Sequence, residues 1–218
     1  MNIIEWLPRF WNESLITIYM VGISTLFTVI LGLPLGVLLI LTDENGLIPR
    51  PGLNRILSLI VNLARSIPFI ILLVLLIPFT RALVGTSIGP TATIVPLTIA
   101  AVPFFGRVVE STLREVPRGL IEAAQSMGSS VWQTVSKVLI SESMPGLILD
   151  VALTFISLVG YSAMAGAVGG GGLGDLAIRY GYIRNQTEVM LIIVVLLLLL
   201  VQGVQWLGDR LSARFSKK

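Results

Sequence analysis

The chain has 218 residues, of which 55% are hydrophobic and only 12% charged, against roughly one-quarter charged in soluble domains. Its mean hydropathy of +0.92 puts most of it in lipid, and spans of roughly 20 residues each leave no length for a soluble catalytic domain. Cysteine and histidine are both absent, which excludes disulfides, thiol nucleophiles, Cys/His zinc sites and a Ser-His-Asp triad; the net charge of +3 is scattered between apolar runs, not gathered into a tract for nucleic acid.

The first apolar run begins near Leu15, follows Glu5 and Glu13 in place of a basic segment, and has no small-residue cleavage site at a suitable distance. It reads as a retained span over about residues 14–41, not a signal peptide. Gly22, Gly32, Pro34 and Gly36 interrupt it, small residues of the kind that let membrane helices pack closely. Asp43 to Asn54, with Gly46, Pro49, Pro51 and Gly52, reads as a loop.

A second span is expected over about residues 55–79, densest from Ile67 to Phe79 and bracketed by Pro68 and Pro78. Arg55, Asn62 and Arg65 recur ahead of that dense part at helical spacing, which suggests an amphipathic entry at the interface. The third span, about residues 88–109, carries Pro96 and Pro103, both able to kink it. A polar stretch over 110–144 follows, then a fourth span over about 146–168, the glycine-rich segment Gly169 to Gly174, a polar loop, and a last span over about 189–207. The whole chain, 1–218, reads as a single all-α transmembrane domain of five spans.

Lys and Arg set the orientation, because cytoplasmic loops retain them. With the N-terminus outside and the C-terminus in the cytoplasm, Arg50, Arg55, Arg65, Arg107, Arg114, Arg118, Lys137, Arg210, Arg214, Lys217 and Lys218 fall inside. Arg9, Arg81, Arg179 and Arg184 fall outside, so the count is eleven against four and the long polar stretch is cytoplasmic. Arg65 and Arg107, near the inner ends of spans, read as snorkelling to headgroups.

That polar stretch is too polar to span and too short to fold alone, yet its pattern is helical. Pro117 suits a helix start, Gly128 the left-handed position that ends the helix, and Ser129 or Ser130 the cap of a second short helix. In the second helix Val131, Trp132, Val135, Val138 and Leu139 form one apolar stripe, which could rest on the protein's own spans, on lipid, or on a partner.

Glu122-Ala123-Ala124, three residues, Gly128, nine more residues and then Val138-Leu139-Ile140-Ser141 together resemble the EAA loop of bacterial ABC importer permeases. The resemblance implies a type I ABC importer fold in which Glu122, Ala123, Ala124, Met127 and Gly128 belong to a coupling helix that docks on an ATPase. Ala123 and Ala124 would keep one face slim, Glu122 would offer a charged anchor, and Gly128 would let the backbone turn. The sequence departs from the family at Ser141, where proline is usual; Pro145 suggests a displaced helix break.

Beyond that loop, Arg65 to Val74, Ile77 to Arg81, Val84 to Gly89, Leu158 to Val168, Gly169 to Gly174 and Arg179 to Tyr182 are similar to the methionine-importer permeases within this family. The likeness implies a bacterial inner-membrane homodimer, a MetN-like ATPase dimer that binds ATP and magnesium, and an external MetQ-like binding lipoprotein. The implied cargo is methionine, in L and D forms or close analogues, and the chain itself would hold no cofactor, metal or catalytic residue.

Tyr161, Ser162 and Met164, among the small residues Gly160, Ala163, Ala165 and Gly166, are candidates for a gate or pathway. Met164, soft and unbranched, suits an apolar plug, or equally a helix interface. Gly169 and Gly174 have Walker spacing, but Asp175 stands where lysine is needed; Gly169, Gly171 and Gly174 also satisfy GxGxxG, without a strand before them. A bend at the end of the fourth span is the simpler reading. Competing functions are a permease for a quaternary amine such as glycine betaine, a secondary transporter, which would need inverted repeats that five spans do not supply, and a membrane enzyme.

Overall fold

The computed structural model describes residues 3–216; Lys217 and Lys218, counted above on the inner side, lie outside the described residues. Within that range the regular elements are helical: α1 (Ile3–Thr42), α2 (Pro51–Ser66), α3 (Phe69–Leu75), α4 (Ile77–Val84), α5 (Pro90–Arg114), α6 (Arg118–Ser126), α7 (Val131–Thr134), α8 (Ile140–Gly166), α9 (Gly172–Leu176) and α10 (Thr187–Phe215), with π-helical turns at Val135–Leu139 and Ala177–Ile183.

Helix α1 begins at Ile3, not near residue 14. Tertiary burial explains the extension: Phe10 packs into a cluster with Leu173, Leu176, Val189 and Ile193, which holds the polar N-terminal turns in register. Lower down, α1 lies against α5 at backbone contact. A Cβ on Gly36 would sit 2.7 Å from the Gly106 carbonyl oxygen and 2.6 Å from Val109, so only a residue without a side chain fits there.

The expected second span is not one helix. Ile67, which precedes Pro68, is extended at φ −79° and ψ 122°, as the proline ring requires of its predecessor. The axes of Pro51–Ser66 and Phe69–Leu75 therefore meet at 99°. Helix α2 is an amphipathic element against α1 and α5 with Val61 buried, and its Asn54 side chain donates to the Leu39 carbonyl at 2.6 Å and the Thr42 hydroxyl at 3.1 Å. Those bonds close the C-terminus of α1, whose last turn has no basic residue. Among the described residues four helices are long and apolar enough to cross a membrane, Glu5–Thr42, Pro90–Arg114, Val131–Gly166 and Thr187–Phe215, or five if the bent pair counts as one span.

The fourth of the expected spans also differs. Helix α7, the π turn and α8 form one continuous 36-residue helix, Val131–Gly166, so the expected second short helix is the first part of this long one, and neither Ser141 nor Pro145 breaks it. Val135 and Leu139 are buried with Val109, Leu113, Val116 and Leu147, and this burial holds the segment onto α5 through the π turn. The glycine run then reverses the chain into α9. Glu13 accepts from the Gly172 amide and Thr17 from the Leu173 amide, both at 2.9 Å, so side chains of α1 take two of the amides that α9 cannot satisfy itself.

Candidate functional site: a docking turn and an uncovered helix face

Helix α6 is delimited at both ends by backbone chemistry. Pro117 occupies its N-cap. At the other end the Gly128 amide donates to the Gln125 carbonyl at 2.9 Å and the Ser129 amide to the Ala124 carbonyl at 3.1 Å, the paired bonds of a Schellman turn. That turn needs a left-handed residue, and Gly128 has φ +82°. Ser130 then starts the next helix: its hydroxyl accepts from the Gln133 amide at 3.3 Å while the Gln133 side chain accepts from the Ser130 amide at 2.9 Å, a capping box.

The structure divides the candidate docking residues by direction. Ala124 is buried against its own chain, whereas Glu122, Ala123, Met127 and Gly128 are exposed. Met127 is 83% exposed and Trp132 75%, with Leu120 and Val131 also uncovered. The stripe expected from Val131 to Leu139 is thus not one face: Val135 and Leu139 turn into the core, Val138 is half-buried, and Val131 and Trp132 face out. Large apolar side chains are thus left in the open around a fixed turn.

Behind α6 lies a chain of charges. Glu110, 5% exposed, accepts from Arg107 at 2.5 Å and Arg114 at 2.7 Å, and Arg114 also donates to Asp43 in the loop after α1 at 2.5 Å. The Arg114 guanidinium holds the Asp43 carboxyl below the usual carboxylate range. Arg107, expected to snorkel freely, is therefore paired. A cavity of about 200 Å³ opens beside this chain, walled by Asp43 and Leu47, by Leu113 and Arg114, and by Ile121 and Glu122 of α6.

The three candidate pathway residues separate as well. Tyr161 stacks on Phe69 of α3, centroids 4.7 Å apart and planes 6° from parallel, so it joins α8 to the helix after the bend. Ser162 is buried and donates to its own helix at the Val159 carbonyl, 2.8 Å away. Met164 is 50% exposed, on a face of α8 that also leaves Leu153 and Gly160 uncovered.

Residues 32–217 match the family described as the binding-protein-dependent transport system inner membrane component. The chain belongs to this family. A probable D-methionine transport system permease protein, MetI, of Pasteurella multocida is 49% identical over 215 residues, 97% of this chain and 99% of that one. The methionine import system permease protein MetP of Bacillus subtilis is 44% identical over 212 residues, 97% and 96% of the two chains. A chain of the inward-facing MetNI methionine ABC transporter superposes with a TM-score of 0.96 at 48% identity, covering 100% of both. The architecture is that of a type I ABC importer permease, and an amino acid ABC transporter at 19% identity and TM-score 0.79 shares the fold.

Sequence reasoning missed two features of this permease. The Asp43–Arg114 pair and the Glu13–Gly172 cap join residues 71 and 159 positions apart, and no local spacing signals either. A buried acid within reach of arginines on the same helix, Arg107 and Arg114 around Glu110, was the one available clue.

Proposed function

We propose that this chain, with a second copy of itself, forms the membrane pathway of a methionine importer whose ATP is bound with magnesium and hydrolysed on a separate ATPase subunit. The observation that carries the reading is end-to-end similarity: relatives named as methionine permeases match 97% of this chain at 49% and 44% identity. The superposition on a chain of MetNI supports the paired assembly, and an external binding lipoprotein would deliver the cargo.

In this reading α6 is the coupling helix, at the cytoplasmic end of a chain whose N-terminus is outside; the surplus of Lys and Arg on that side supports the orientation. Ala124 seats α6 on the permease body. Glu122, Ala123 and Met127 present an outer face to the ATPase, and Gly128 fixes how Trp132 stands beside them. Met164 lines the pathway on the uncovered face of α8.

The test is co-expression with the ATPase, purification, and uptake of labelled L- and D-methionine and glycine betaine into proteoliposomes loaded with the external binding protein. ATP-dependent uptake of methionine in preference to betaine is expected. An ATPase that does not co-purify, or betaine uptake in place of methionine, would sink the corresponding half of the proposal.

A further inference from the structure

We propose that Glu110, acting through Arg114, is a positioning residue for coupling: with Asp43 it straps the root of α6 to α1 and α5, so that α6 can move only if both helices move with it. The proposal rests on α6 being the docking helix.

The geometry is that of a tie. Both oxygens of the buried Glu110 carboxylate are occupied, Oε2 by Arg107 and Oε1 by Arg114, and the second terminal nitrogen of Arg114 is held by Asp43. Asp43 is itself fixed, because its loop closes onto α1 through the Gly46 amide to the Asp43 carbonyl and the Ile48 amide to the Leu41 carbonyl, both at 2.9 Å. Arg114 ends α5, and α6 begins at Arg118, so the strapped residue lies one turn of chain before α6, next to Val116, which is buried in the core.

The cavity makes the strap matter. Glu122 and Gln125 of α6 border, with Leu113 and Leu47, a cavity of about 200 Å³, so α6 is seated through Ile121 and Ala124 and has room on one flank only. A helix seated along one line and open on one flank can tilt towards the open side. The acids on either side of Arg114 belong to different elements, α5 and the loop after α1, and the strap converts that tilt into joint movement of both. Glu110 is the buried member of this chain, and neutralising it strips both Arg107 and Arg114 of their shared partner.

The experiment uses the permease–ATPase complex in proteoliposomes and reads cargo imported per ATP hydrolysed. Glu110→Gln keeps the shape and removes the charge; Asp43→Asn cuts only the loop arm, in a segment where folding is not at stake. Both are expected to keep the ATPase bound and hydrolysing, with import per ATP reduced about fivefold or more in Glu110→Gln, which strips a buried charge from the chain, and measurably but by less than about fivefold in Asp43→Asn, which cuts a half-exposed pair. The chain has no cysteine, so the pair Asp43→Cys and Arg114→Cys can be joined by a short bifunctional thiol reagent, which should restore the ratio. A normal ratio in Asp43→Asn with wild-type docking overturns the strap alone, as does a lowered ratio that crosslinking leaves unchanged. Failure of the wild-type chain to bind an ATPase overturns the underlying reading as well.

Discussion

Gly128 offers the sharpest test of the docking turn, because its cost can be separated into backbone and space. Its φ of +82° lies where an L residue is strained, yet a Cβ there would meet nothing within 4 Å. Substitution is therefore penalised by conformation alone: about 1 kcal/mol for Gly128→Ala, more for the β-branched Gly128→Val, and less for Gly128→Asn, whose side chain tolerates the left-handed region. A cost of about 1.4 kcal/mol shifts an equilibrium tenfold, so the Ala variant should lower the equilibrium constant for the Schellman turn several-fold. Uptake into proteoliposomes, with ATPase affinity measured in parallel, should fall in the order Asn, Ala, Val, with Val worst. Equal transport by all three would refute the claim that the turn orients the docking face. An Asn variant worse than Ala would show that side-chain size decides, and that the partner packs against this position.

At the crossing of α8 and α9, a Cβ on Gly166 would lie 2.2 Å from the Asp175 amide nitrogen and 2.4 Å from the Gly174 carbonyl carbon. Backbone cannot yield, so Gly166→Ala should cost about 3 kcal/mol and lower Tm in detergent by roughly 6–12 °C. Gly160, on the same helix with nothing within 4 Å, is the control: Gly160→Ala should be neutral or add up to about 1 kcal/mol. Met164→Ala removes a half-exposed side chain, so stability should change by no more than about 0.5 kcal/mol while import per ATP falls; unchanged uptake and basal hydrolysis would remove Met164 from the pathway. The Asp43 carboxyl is depressed by Arg114, so its contribution is fully present above the ordinary carboxylate pKa of about 3.9 and is lost as pH falls through the depressed value. For a partly exposed pair it is well under about 1 kcal/mol, and the Tm difference between the parent chain and Asp43→Asn should narrow as pH falls below the ordinary carboxylate range.

Local chemistry was legible and tertiary chemistry was not. Pro117, Gly128 and Ser130 each announce a helix end by what their own backbone or hydroxyl can do, and α6 starts, stops and hands on to the next helix where those residues stand. Arg55, Asn62 and Arg65 mark α2 as an amphipathic entry, but hydropathy, which averages over a window, could not show that Ile67 turns the chain by 99° before the apolar α3. Nor could a pattern that ends in Ser141 and Pro145 show that the helix runs through them, because what holds it is the burial of Val135 and Leu139 against residues of α5.

That continuity bears directly on coupling. A separate second helix would have left the docking turn joined to the pathway by a loop, which absorbs displacement. One helix from Val131 to Gly166 is instead a rod of 36 residues, about 54 Å long at 1.5 Å per residue, with Trp132 near one end and Met164 near the other. Its compliance is concentrated in two places, the π turn at Val135–Leu139 and the proline at Pro145, both recognised sites of helix bending. Stiffness there decides how much of a movement at Trp132 arrives at Met164. Pro145→Ala restores a backbone donor in mid-helix and should stiffen the rod: the expected result is unchanged ATPase binding with an altered import rate. If import is the same with alanine as with proline at this position, bending at Pro145 plays no part in transport and the rod acts as a rigid body.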